Sequence, residues 1–424
     1  MEFRREKILN ELITSQFNGK VKVITGLRRS GKSYLLFTLF KNYLVASQKC
    51  KESNIIEIKV DEWDKADYRD PYKLGEYLDS KINKKNEKYY VFIDEVQMVE
   101  KVKNRNTNIG YIGFYDILNK LLNNKNIDVY VTGSNSKLLS SDIATEFRGR
   151  GYQIHVSPIS FSELIEVIPH NSRNELLESY VRYGGLPEVW KIDDGIKKED
   201  YLKSLISETY ILDLLERHNI KKQAIIKEIL QYLASIVGCY ASEKKILDTY
   251  KSNKVDINKV TLKNYLNYFE DCFMIKKALR YDTKGKRYLN TLAKYYFVDI
   301  GLRNAILNFN HFELHHLIEN VIFNELIRRN FEVYVGNVTI NVNHKRKTLE
   351  IDFVAMKSNR KYYIQVTDNI NTLAKMQQEK NSLLQIHDGH PKIIITLEKQ
   401  IKHIDDDGII IMDVFEFLLN ENSI

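Results

Sequence analysis

Cysteine is scarce in this sequence: 3 residues in 424, at Cys50, Cys239 and Cys272. They are far apart and form no C-x-x-C pair, so neither a disulfide framework nor a structural zinc site built on paired cysteines is expected. No apolar run reaches membrane-spanning length, and neither an internal repeat nor a low-complexity tract is evident. The opening residues, MEFRREKILN, are charged and lack the apolar core of a signal peptide. No membrane partner is therefore expected, and the cytoplasm is the expected location.

A hydrophobic content of 43% and a charged content of 28% belong to a globular chain. At 424 residues the chain is too long for one ordinary core, so two to four domains are expected. The net charge of +8 is mildly basic and compatible with a nucleic-acid partner without requiring one.

The stretch that organises the rest is GLRRSGKS, from Gly26 to Ser33, which fits G-x-x-x-x-G-K-[ST]. Val21 to Thr25 before it reads as a buried strand, and Tyr34 to Phe40 after it reads as a helix. Strand, glycine loop and helix are the context of a phosphate site. Gly26 and Gly31 let the backbone close around an oxygen-rich group, with Leu27, Arg28, Arg29 and Ser30 between them. The loop amides and the helix N-terminus direct partial positive charge at the phosphates. Lys32 is expected on the β- and γ-phosphates, Ser33 on Mg²⁺, and Tyr34 beside the nucleotide. A chance match in a chain of this length is on the order of one per cent.

Some sixty residues later, Tyr89 to Ile93 form an apolar run ending in Asp94 and Glu95. This fits a Walker B strand, with Asp94 holding Mg²⁺ and Glu95 polarising the attacking water. A further strand over 127–131 leads into Thr132-Gly133-Ser134-Asn135. Ser134 and Asn135 are candidate γ-phosphate sensors, or equally caps for a helix over 136–145. Arg148 and Arg150 follow that helix. Either could reach a neighbouring subunit's nucleotide, which implies a homo-oligomer, or simply form a solvated basic turn. Five strands alternating with helices imply a parallel sheet covered on both faces, with the ligand at the strands' C-terminal ends.

The remaining chain reads as helical over 157–220, then as three helices and a hairpin over 222–305. That last order is the order of a winged helix. Residues 241–300 carry 13 Lys+Arg against 7 Asp+Glu. Lys259, Lys263, Asn264 and Asn267 on the third helix, with Lys284, Lys286 and Arg287 in the hairpin, suit DNA contact. A winged helix used only for packing is the alternative. Residues 311–424 read as another α/β unit, with Glu319 and Glu325 on a helix and Glu350 and Asp352 at alternate strand positions.

GLRRSGKS, VFIDEVQ, VTGSNS, FRGRG, SPISFSEL, YGGLPEV, KYYFVDIGLRN, ENVIFNEL and EIDFV…YYIQV occur in that order. Together they resemble the widespread prokaryotic AAA-type P-loop ATPases that carry a C-terminal domain of unknown function. The resemblance implies an α/β P-loop core over 1–165, a helical lid over 166–221, a winged helix over 222–310, and a PD-(D/E)xK nuclease-like domain over 311–424. It implies ATP and Mg²⁺ as cofactors and ATP hydrolysis as the activity, with DNA a candidate partner. The nuclease-like motif departs from its pattern. Glu319 or Glu325 and Asp352 fit, but Gln365 replaces a glutamate and Thr367 a lysine. Lys375 or Lys380 is the expected substitute for that lysine, and the domain is expected to bind rather than cut.

Overall fold

The computed structural model describes residues 1–84, 86–105, 107, 109–133, 149–218, 220, 223–252, 257–285, 287–342 and 344–424. The chain divides into two compact units. The first is Met1–Ile159 with Asp271–Phe273, and the second is Ser160–Glu270 with Met274–Ile424.

The first unit is built on a parallel sheet of β1 (Val21–Thr25), β2 (Ile55–Lys59), β3 (Tyr89–Asp94), β6 (Ile127–Gly133) and β7 (Gly151–His155), in the order β2-β3-β6-β1-β7. β1, β3 and β6 are buried along their whole length, as a sheet covered on both faces requires. Alternate residues serve the two faces. Val23, Val91, Ile93, Val129 and Val131 pack under helices Pro71–Lys81 and Phe114–Leu122. Ile24, Tyr90, Phe92 and Tyr130 pack against Leu36 and Phe40 and against helix Glu6–Thr14. Lys22 is fully buried on this second face. Its ammonium donates to Asp128, which also accepts from the Tyr130 hydroxyl at 2.8 Å and the Phe17 N–H at 2.9 Å.

Several elements differ from the sequence reading. The N-terminal helix is only Glu6–Thr14. The polar, asparagine-rich stretch after β3 carries a short antiparallel pair, β4 (Val102–Lys103) and β5 (Tyr111–Ile112). Residues Leu35–Phe40 form a π-helical segment, a local widening frequent beside functional sites.

In the second unit, helices Phe161–Ile165, Arg173–Tyr183, Gly195–Ser204 and Ile211–His218 lead to Gln223–Ser235, Glu243–Ser252 and Lys259–Asp271. Leu262, Tyr265, Leu266 and Phe269 are buried at helical spacing, but the helix ends at Asp271. Phe273, four residues after Phe269, takes a positive φ of 59° and packs with the first unit's core. The hairpin β8 (Ile275–Asp282) and β9 (Arg287–Phe297) is longer than its apolar pattern suggested. It lies in one eight-stranded sheet with β10 (Glu332–Val342), β11 (Lys345–Lys357), β12 (Arg360–Thr367), β13 (Lys392–Thr396), β14 (His403–Ile404) and β15 (Ile409–Asp413). The join is a parallel pairing of β8 with β10 at Val335↔Arg280 through Asn337↔Asp282.

Two sequence motifs lock together in this unit. Asp299 is buried, and its carboxylate accepts the Gly185 N–H at 2.7 Å and the Leu302 N–H at 3.0 Å. Asn304 donates to the carbonyls of Val181 and Arg182. A side chain at Gly184 would lie 2.3 Å from Asp299 Oδ1, and one at Gly301 would lie 2.1 Å from the Tyr183 carbonyl. Only glycine permits this approach, so YGGLPEV and KYYFVDIGLRN act here as two halves of one joint.

Candidate functional site

The loop after β1 has the backbone of an anion cradle. Gly26, Arg29 and Gly31 have φ of 140°, 63° and 94°, positive-φ backbone of the kind found in anion-binding loops. A Cβ at Gly26 would sit 2.2 Å from the Val156 carbonyl oxygen, so the first glycine is sterically required. Leu27 is buried, while Arg28, Arg29 and Tyr34 are exposed. Lys32 is buried and its ammonium donates to the carbonyls of Gly26 at 3.1 Å and Leu27 at 3.0 Å. Ser30 Oγ is buried with no hydrogen-bond partner among the described residues, an orphan that a phosphate oxygen would satisfy.

Ser33 and Asp94 meet, as two ligands of one cation must. The Ser33 side chain hydrogen-bonds Asp94, which is buried at the C-terminal end of β3. Burial pushes the Asp94 carboxyl up, while hydrogen bonds from Thr132 and Ser33 pull it down. Glu95 and Asp61 add negative charge nearby. A desolvated carboxylate beside a serine hydroxyl, with further acids around it, fits Mg²⁺ through an oxygen shell.

Thr132 is the residue that sequence reasoning missed. Its hydroxyl donates to Asp94 Oδ1 and accepts the Glu95 N–H at 3.0 Å. One side chain therefore fixes both acids. Thr132 is the last side chain of β6 before Gly133, one step beyond the Ile93↔Val131 pair. Aligning the polar ends of the two strands would have found it. Glu95 itself has a φ of 48°, a strained conformation for a non-glycine residue, and its carboxylate accepts from Gln97 Nε2.

Ser134, Asn135, Arg148 and the helix over 136–145 lie outside the described residues. Arg150 is exposed, and its carbonyl accepts the Val21 N–H at 2.9 Å. It thus sits at the N-terminal end of the sheet. The loop leaves β1 at the other end, about 13 Å away at ~3.3 Å per residue. The structure does not bring Arg150 to its own chain's loop.

In the second unit a buried charged cluster gathers Glu319, Asp352 and Lys294. Lys294 donates to Glu319 at 2.9 Å and pairs with Glu350 at 2.6 Å; the Tyr296 hydroxyl also donates to Glu319. Burial and the Glu319 charge hold Asp352 well above the usual carboxylate range, and Val366 N–H donates to it at 2.8 Å. Of the two helix glutamates, Glu319 is the one at the cluster. Glu325 is bound to Arg328 and Arg329. The lysine also differs from expectation. Lys375 pairs with Glu379 and Lys380 with Asp405 and Asp407, whereas Lys294, from β9, occupies the cluster. Gln365 accepts from Ser382, and Thr367 donates to the Asn369 carbonyl. A cleft of about 440 Å³ opens beside them, with His315, Glu350, Gln365, Asp368 and Lys375 in its wall.

Residues 18–165 match the family model described as an AAA domain, and residues 174–313 match a domain of unknown function, DUF8612. An "Uncharacterized protein" of Haemophilus influenzae is 33% identical over 419 residues, covering 98% of both chains. The chain belongs to the same family as this relative. An "Uncharacterized protein" of Methanocaldococcus jannaschii, 30% identical, covers 89% of this chain and 81% of its own. Among solved structures, Aeropyrum pernix ORC1 in complex with DNA has 13% identity and a TM-score of 0.31, over 72% of this chain and 92% of that one. AMPPCP-bound DnaA from Aquifex aeolicus has 14% identity and a TM-score of 0.31, over 63% and 87%. The AAA-domain match supports nucleotide binding at the loop of this family member. No described helix is long and apolar enough to cross a membrane.

Proposed function

We propose that this chain is an Mg²⁺-dependent AAA-type ATPase that couples ATP hydrolysis to conformational change in its second unit. The observation that carries this reading is the chain of contacts Ser33–Asp94–Thr132–Glu95 beneath a left-handed glycine loop. In this reading Gly26 to Ser33 cradle the phosphates. Lys32 leaves its loop carbonyls for the β- and γ-phosphates, Ser33 and Asp94 hold Mg²⁺, and Glu95 orients water. Mg²⁺ supplies charge neutralisation between the phosphates. DNA is the proposed partner, supported by exposed Lys263, Asn264 and Asn267 on helix Lys259–Asp271. Self-association follows if Arg150 serves a neighbouring copy, because its position excludes service to its own.

A second reading is a nucleotide-switched DNA-binding or scaffold protein with very slow hydrolysis. The Gln97 amide on one oxygen of the Glu95 carboxylate favours it, since that donor competes with water for the carboxylate. The second unit's acid cluster is proposed to bind or pack rather than cut, because Gln365 and Thr367 stand where a glutamate and a lysine are expected.

The deciding experiment is phosphate release by the full chain without DNA, with single-stranded DNA and with duplex DNA, with cutting read on a gel. Lys32→Ala should abolish nucleotide binding, and Glu95→Gln should retain binding and lose turnover. No ATP binding by calorimetry would refute both readings. Turnover at background with nucleotide-dependent retention on DNA would select the second. Mn²⁺-dependent cleavage lost in Asp352→Ala would overturn the binding role of the cluster.

A further inference from the structure

Helix Leu314–Arg328 opens with two adjacent histidines, His315 and His316, and carries Glu319 one turn on. One donor atom from each of the three lies within 4.8 Å of the others. From this geometry we infer a binding site for a divalent first-row transition ion at His315, His316 and Glu319, separate from the Mg²⁺ ligands Ser33 and Asp94.

The donors are arranged for it. His316 Nδ1 is buried with no hydrogen bond of ordinary length among the described residues; it faces Glu319 Oε2 at 3.6 Å, an ion-pair separation when the ring carries a proton, which a bound ion would replace. That is too long for a hydrogen bond. It is close to the ~3.4 Å that separates two ligands held at ~2.1 Å from one tetrahedral ion. Glu319 has spare capacity there, because Lys294 and Tyr296 both take its other oxygen, Oε1.

The chain also leaves the gap open. A Cβ built on Gly238 would lie 2.5 Å from His316 Nδ1 and 3.1 Å from Glu319 Oε2. Any other residue would fill the space between the donors.

The outer partners orient the rings. His315 Nδ1 faces Asp368 at 3.6 Å, which leaves its Nε2 for the ion. His316 Nε2 faces Glu313 at 3.5 Å and the Cys239 thiol at 3.9 Å, which leaves Nδ1. Carboxylates behind ligating histidines are the usual second layer of a metal site. Two imidazoles and one carboxylate suit Zn²⁺ and its neighbours rather than Mg²⁺, which prefers all-oxygen octahedra. Three protein ligands leave a position for water or an anionic group. The sequence's lack of cysteine pairs therefore excludes a thiolate zinc site but not this one.

The test is a titration of the full-length, nucleotide-free, reduced protein with ZnCl₂ by calorimetry, in excess Mg²⁺. CoCl₂ followed by visible absorption reports the ligand geometry. One Zn²⁺ per chain should bind at micromolar concentration or tighter. His316→Ala and His315→Ala should each weaken it by at least about tenfold, the scale seen even for outer-layer partners. Cys239→Ser should retain it. Melting curves without metal check folding; should His316→Ala unfold, the half-buried His315 variant carries the test. No Zn²⁺ binding, binding unchanged in both histidine variants, or loss only in Cys239→Ser would each overturn the site.

Discussion

Thr132→Val removes one oxygen and keeps the shape of the side chain. That oxygen satisfies the Glu95 N–H at 3.0 Å and donates to Asp94, inside a fully buried environment. Valine leaves a buried N–H without an acceptor and a buried carboxylate without one of its donors. Each loss costs roughly 1–3 kcal/mol, and because the two share one atom the sum is about 2–4 kcal/mol rather than twice the larger figure. For a unit of this size each kcal/mol lowers the melting temperature by about 2–4 °C, so a fall of about 4–16 °C is expected. The effect on turnover is larger than on binding. Nucleotide affinity rests on the loop and Lys32, which Thr132 does not touch, and should stay within about threefold. The position of Glu95 rests on Thr132, and displacement of a catalytic group by about 1 Å can cost on the order of 100-fold. Phosphate-release kinetics and nucleotide calorimetry on the same preparation separate the two. Turnover within about twofold of wild type, in a protein with unchanged melting, would refute the role given to this hydroxyl.

Gln97→Ala removes one donor from the Glu95 carboxylate and should raise turnover several-fold in the absence of DNA; a fall would mean that Gln97 positions Glu95 instead of restraining it. Lys22→Ala or Asp128→Ala alone should destabilise the first unit by about 3–5 kcal/mol, because each leaves a buried charge without its partner. The Lys22→Met, Asp128→Leu double variant should recover much of that loss, as denaturant unfolding would measure. Burial raises the Asp299 pKa from 3.8 to about 6, against the N–H groups of Gly185 and Leu302 that lower it. Between those values the folded chain holds a proton that the unfolded chain has lost. Stability therefore falls as pH rises through this window, by up to about 3 kcal/mol. Thermal melts across pH 3.5–7.5 should show this slope in the wild type, and Asp299→Asn should flatten it.

The P-loop and the Asp94-Glu95 pair were legible because a strand, a tight loop and a helix leave a continuous local record. The same holds for helix Phe114–Leu122 and strand Lys392–Thr396, whose apolar periods end where the elements do. Thr132 was not legible, because its role depends on the register between β6 and β3 and no local pattern states a register. Lys294 was missed for a related reason. The search for a substitute lysine followed the chain forward from Gln365, whereas the fold supplies it from a strand some seventy residues earlier. Phe273 continues the apolar period of helix Lys259–Asp271 in the sequence, but a positive φ turns the chain two residues after the helix ends. No local pattern shows why YGGLPEV needs Gly184 or why KYYFVDIGLRN needs Gly301: the first is demanded by Asp299 and the second by the Tyr183 carbonyl, contacts more than a hundred residues apart.

The parallel pairing of β8 with β10 bears on how this protein can be dissected. Cutting the chain near residue 310 would strip β8 of its neighbour at Arg280–Asp282 and uncover an unpaired row of N–H and C=O groups on each fragment. Such bare edges recruit strands from other molecules. Fragments ending there would then be sticky preparations whose apparent oligomers report on broken ladders and not on any natural assembly. A cleaner boundary for expression lies near residue 160, where β7 has already been completed and the next helix is capped by its own Ser160 and Glu163, although the first unit then loses its Asp271–Phe273 segment.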